Sequence, residues 1–201
     1  SSVARDEPAT FPLDQVIDYV VARIVAAPLL LALALAGRQA AFTWVLVPAL
    51  LTDLLDGWLA RTLRLESKRG ALLDSVGDAL LLFAAIAGVW TFHRPVVTGH
   101  ALLCGSLVGL WALENLVALL RYGRLSSFHT WLSKTAGYLL SVYVGVLFVY
   151  GHAPWLLQLA AGLGIVASLE EFVLLALLPT WRTDVGGLWW VLAERRRDGH
   201  R

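Results

Sequence analysis

The chain has 201 residues, 58% of them hydrophobic and 15% charged, with a formal net charge of +1 and a mean hydropathy of +0.69. An ordinary globular domain is about 45–50% apolar, so this composition excludes a typical soluble domain and predicts an all-α integral membrane protein of one domain, 1–201. The balanced charge, with no basic stripe among aromatics, excludes a nucleic-acid surface, and the single cysteine, Cys104, excludes an internal disulfide.

Six apolar segments approach the roughly 20 residues that a spanning helix needs. In chain order they are expected at 16–37, 41–60, 71–90, 97–120, 131–150 and 154–178, separated by short polar or turn-rich breaks. Before the first, Phe11, Leu13, Val16 and Ile17 alternate with Asp14 and Gln15, which suits a helix lying along the membrane interface. After the last, Leu188, Trp189, Trp190 and Leu192 precede Arg195, Arg196 and Arg197 and predict a second interfacial helix. Interfacial belts also account for many of the nine tryptophans.

With six spans both termini share one side. That side collects Arg5, then Arg61, Arg64, Lys68 and Arg69, then Arg121 and Arg124, then Arg182, Arg195, Arg196, Arg197 and Arg201. Only Arg38 and Arg94 fall opposite. The excess of basic residues marks the first side, with both termini and the 61–70 connection, as cytoplasmic.

Against this background Asp53, Asp56, Asp74 and Asp78 stand out, because an ionised carboxylate at bilayer depth is costly and points to function. They lie in Asp53-Leu-Leu-Asp56-Gly57-Trp-Leu-Ala60-Arg61 and Gly70-Ala-Leu-Leu-Asp74-Ser-Val-Gly-Asp78. At 1.5 Å per residue both pairs fall about 6–12 Å inside the cytoplasmic ends of adjacent antiparallel helices. Spacings of i,i+3 and i,i+4 put each pair on one helix face. Like charges this close need a positive partner. An oxygen-only donor set selects a hard divalent cation, Mg²⁺ or Mn²⁺, and four carboxylates suffice for two, as in metal-assisted phosphoryl transfer. Gly57 and Ala60 remove bulk beside the acids, and Arg61 adds positive charge at the mouth.

These residues match the D-x2-D-G-x2-A-R-x8-G-x3-D-x3-D motif of the CDP-alcohol phosphotransferases at every fixed position, and six helices with a cytoplasmic site resemble that family's layout. The resemblance implies transfer of a substituted phosphate from a CDP-linked donor, here CDP-diacylglycerol, to a small alcohol, with release of CMP. It implies that Asp53, Asp56, Asp74 and Asp78 hold two divalent metals and that Asp78 is the catalytic base. Gly57, Ala60 and Arg61, with Ser67, then fall at CDP-donor positions, and a homodimer in a bacterial cytoplasmic membrane is expected.

Glycerol 3-phosphate, inositol phosphate and serine are the candidate acceptors. Family members that make phosphatidylglycerophosphate or cardiolipin typically carry proline after the third aspartate and lysine after the fourth. Ser75 and Ala79 stand there instead. Relatives with phosphorylated acceptors place basic residues at the cytoplasmic ends of helices 4 and 5, where Arg121, Arg124 and Lys134 lie. Arg23, Glu114, Glu170 and Glu171 are charges inside apolar runs without an assigned role. An intramembrane prenyltransferase would also use aspartates and Mg²⁺, but in longer chains with separated motifs. A cation or proton transporter would tend to show broken helices or repeated halves, and neither is visible.

Overall fold

The computed structural model describes residues 25–63, 68–123, 130–178 and 185–198, except for the side chains of 53–76, 78 and 194–198. All regular structure among the described residues is helical. In chain order the helices are α1 (Val25–Leu35), α2 (Gln39–Leu63), α3 (Lys68–Phe92), α4 (Arg94–Gly99), α5 (Ala101–Tyr122), α6 (Trp131–Val149), α7 (Pro154–Leu177) and α8 (Leu188–Asp198). The expected N-terminal interfacial segment and the start of the first span lie outside the described residues. The chain divides into two compact units, Ser1–His93 and Arg94–Arg201.

In the first unit α1 stops at a left-handed Gly37 (φ 66°). The Gly37 N–H donates to the Ala34 carbonyl and the Arg38 N–H to that of Leu33, at 3.1 and 3.0 Å. These bonds satisfy carbonyls that a helix end leaves without partners. α2 and α3 then form an antiparallel pair. Phe42, fully buried, packs on Phe92 with ring centroids 5.4 Å apart, and its ring occupies the space that a Cβ on Gly88 would need. Beyond it the Gln39 amide lies 3.4 Å from the His93 ring.

In the second unit α7 packs against both α5 and α6. Its buried Ala160, Ala161, Ala167 and Ser168 keep the surface low, so that neighbouring helices can approach closely. At Gly164 the Leu107 side chain fills the place of a Cβ. Thr130 caps α6, its hydroxyl accepting from the Ser133 N–H at 3.1 Å, while Pro154 occupies the first turn of α7. There its missing N–H costs nothing.

Two boundaries differ from expectation. The fourth apolar segment starts as a separate short helix, α4, with Pro95 in its first turn. His100 then leaves helical geometry (φ −121°, ψ 34°) before α5 begins, its Nδ1–H donating to the Val96 carbonyl at 3.1 Å. The break expected at 61–70 is shorter, because α2 runs to Leu63 and α3 starts at Lys68. Helix geometry there continues past the apolar stretch into charged residues. By length and composition α5, α6 and α7 could each cross a membrane, while Val25–Leu35, Gln39–Thr52 and Ala79–Phe92 are shorter apolar stretches. The expected C-terminal interfacial helix corresponds to α8.

Candidate active site

The four aspartates lie on α2 and α3, and the described parts of that pair set their register. Gln39 is level with His93, and Phe42 falls between the levels of Gly88 and Phe92. Counting inwards along antiparallel helices from these contacts, Asp53 comes level with Asp78 and Asp56 with Asp74. Each match holds to within about two residues, or roughly 3 Å of rise.

The faces follow from the buried stripes. On α2, Phe42, Leu46 and Leu50 are buried at four-residue intervals, and the next positions on that stripe are Asp53 and Gly57. On α3, Ala85 and Leu81 are buried, and continuing by three and four residues reaches Asp78 and Asp74. Gly77, beside them, is itself buried. In backbone register the positions of Asp53 on α2 and of Asp74 and Asp78 on α3 thus continue the stripes that are buried and apolar further along each helix. Gly57, Ala60 and Arg61 occupy the same half of α2, and Ser67 lies outside the described residues.

The four candidate positions carry carboxylates and no thiol or imidazole, a chemistry that would fit Mg²⁺ or Mn²⁺. Among the described residues no group of three or more histidines, cysteines or acids is arranged to hold a metal.

The basic candidates belong to the second unit. Lys134 lies in the first turn of α6, its backbone N–H donating to the Thr130 carbonyl at 3.0 Å. The Arg121 guanidinium has a structural task that its sequence position did not announce. It donates to the carbonyls of Leu175, at 2.5 Å, and Leu178, at 3.3 Å. The neighbouring Tyr122 hydroxyl donates to the Leu178 carbonyl at 2.7 Å. Together they satisfy carbonyls at the C-terminal end of α7 and tie it to the end of α5. Arg124 lies outside the described residues, as does Arg23.

Glu114 and Glu171 are buried on α5 and α7, with 3% and 7% of their surface exposed. Glu170 accepts the Leu188 N–H on Oε1 at 2.9 Å, a capping role invisible in sequence because 18 residues separate the partners.

Comparison with known proteins agrees with the motif. The family model described as CDP-alcohol phosphatidyltransferase matches residues 19–181, across both units. CDP-diacylglycerol--glycerol-3-phosphate 3-phosphatidyltransferase 2 of Arabidopsis thaliana is 32% identical over 119 residues, covering 57% of this chain and 48% of that protein. The chloroplastic/mitochondrial CDP-diacylglycerol--glycerol-3-phosphate 3-phosphatidyltransferase 1 of the same plant is 32% identical over 121 residues, 59% of this chain and 39% of the relative. The match thus spans less than half the length of either curated relative. No solved structure matches. With its motif complete and its length matched from the first helix to beyond α7, the chain belongs to the CDP-alcohol phosphatidyltransferase family, a family of enzymes.

Proposed function

We propose that the chain transfers a phosphatidyl group from CDP-diacylglycerol to an alcohol and releases CMP, with glycerol 3-phosphate as the leading acceptor. The observation that supports this reading is the backbone register of α2 and α3, in which the four aspartate positions fall at matching levels within a chain of this family. The names of the two plant relatives support the donor and the acceptor.

Asp53, Asp56, Asp74 and Asp78 would hold two divalent cations, which when bound supply charge neutralisation for the donor's pyrophosphate and for the leaving phosphate. Asp78 takes the proton of the acceptor hydroxyl as its oxygen bonds to the phosphorus that carries diacylglycerol. The bond from that phosphorus to the bridging oxygen breaks, and CMP leaves with the electron pair on its phosphate. Gly57 and Ala60 leave room for the nucleotide, Arg61 balances phosphate charge, and Ser67 adds a donor contact. Arg121, Arg124 and Lys134 are the candidates for holding a phosphorylated acceptor. The reading includes six spans, cytoplasmic termini, a cytoplasm-facing site and a homodimer.

The test is CMP release by purified protein in detergent, supplied with CDP-diacylglycerol and each acceptor in turn. Release that requires Mg²⁺ or Mn²⁺ and is greatest with glycerol 3-phosphate is the expected result. No release with any alcohol would overturn the reading.

A further inference from the structure

Helix α8 is fastened along its inner side. Val191, 3% exposed, belongs to a buried cluster with Ala118, Leu174, Leu175 and Leu178, and Val185 and Leu188 pack against that cluster. The Leu188 N–H is capped by Glu170, and the Trp131 N–H donates to the Gly186 carbonyl at 3.3 Å. Gly187, at φ 151°, approaches Glu170 so closely that a Cβ would stand 3.0 Å from the carboxylate oxygen. This is a mounted helix rather than a loose tail, and it is seated on the C-terminal ends of α5 and α7.

The mounting leaves Trp189 and Trp190 facing outwards, 74% and 59% exposed, with Leu192 exposed beside them. The helix is divided along its length rather than around its axis. Its first five residues, Leu188 to Leu192, are apolar, while Glu194 to Asp198 are all charged and include three consecutive arginines. Arg196 and Arg197 follow Trp189 and Trp190 by seven residues, two turns and about 10 Å. Indoles fixed at the end of a spanning helix sit where acyl chains meet headgroups, with the N–H able to find an acceptor. Three consecutive arginines in the second half of the same helix favour negative over zwitterionic lipid.

We propose that α8 is a binding surface for the anionic phospholipid headgroups of the surrounding bilayer. Trp189 and Trp190 fix its depth, and Arg195, Arg196 and Arg197 supply the charge that selects the lipid. The proposal needs α7 to cross the membrane but does not depend on the transferase reading, so each can fail alone.

The test uses the full chain in nanodiscs, with an environment-sensitive fluorophore on A193C in a C104S background. Phosphatidylcholine discs are compared with discs of increasing phosphatidylglycerol content. The expected result is a blue shift that grows and saturates with phosphatidylglycerol and weakens at high salt. R196Q should weaken the response roughly fivefold, the effect of one arginine near an anionic surface, with an unchanged melting temperature. W189S/W190S should reduce the shift in both lipids. Identical emission in both disc types would overturn the proposal, as would an undiminished response in the triple variant R195Q/R196Q/R197Q. A shift that follows protein density instead of lipid charge would also overturn it, by assigning the surface to a second copy of the chain.

Discussion

At the scale of single residues, the proposed chemistry rests on four carboxylates that were legible because membrane helices tolerate so few charges. Asp78→Asn preserves size and polarity but cannot accept the proton, so turnover should fall by about 10²–10⁴-fold while helical content and melting temperature hold. Circular dichroism beside a CMP assay checks both halves of that prediction. Asp53→Asn should instead raise the Mn²⁺ concentration needed for half-maximal activity. Arg121 was legible only as a cation on the positive side. Its bonds to the Leu175 and Leu178 carbonyls could not be read from sequence, because they join groups more than 50 residues apart. Arg121→Gln should lower the melting temperature modestly, because a charge-assisted donor is lost and the Leu175 carbonyl keeps, among the described residues, only the Tyr122 hydroxyl at 3.3 Å. If Arg121 also holds the acceptor's phosphate, KM for the acceptor rises in this variant but not in Tyr122→Phe. The acceptor itself was poorly legible. Ser75 and Ala79 depart from the pattern of glycerophosphate-using members, yet the two plant relatives carry that acceptor in their names.

At the scale of elements, the central unit is the α2–α3 hairpin. Its apolar halves are joined by Phe42, Gly88 and Phe92, and this contact sets the register on which the proposed site depends. A side chain at position 88 would collide with a Phe42 ring that is fully buried and stacked on Phe92. Gly88→Val should therefore destabilise the hairpin by about 1–3 kcal/mol and lower turnover as well, although position 88 is about 15 Å from Asp78 along α3. A stability loss with wild-type turnover would separate packing from site geometry. Hydropathy located the helices but misjudged their ends, since it marks where a bilayer would begin and not where backbone hydrogen bonding stops. Thus α2 continues through Arg61 to Leu63. The break at His100 was hidden for the converse reason, because apolar residues continue through a backbone change that its imidazole, bonded to Val96, helps to support.

At the scale of the whole molecule, the family match runs from residue 19 to residue 181, so the segments on both sides of His93 belong to one family unit of sequence. Among the described residues three helices satisfy the length and composition of a span, and the proposed topology of six spans places the 64–67 connection in the cytoplasm. Ser67→Cys in a Cys104→Ser background should react with a membrane-impermeant maleimide in inverted vesicles and resist it in right-side-out ones. The opposite pattern would reverse the orientation. The central claim, that Asp53, Asp56, Asp74 and Asp78 form one metal-dependent centre for phosphatidyl transfer, is tested most directly by CMP release from CDP-diacylglycerol with glycerol 3-phosphate. Wild-type protein should release CMP with Mn²⁺, stop on chelation and recover when the metal returns, while Asp78→Asn stays inactive throughout. Equal CMP release by the wild type and Asp78→Asn, or release indifferent to chelation, would contradict it.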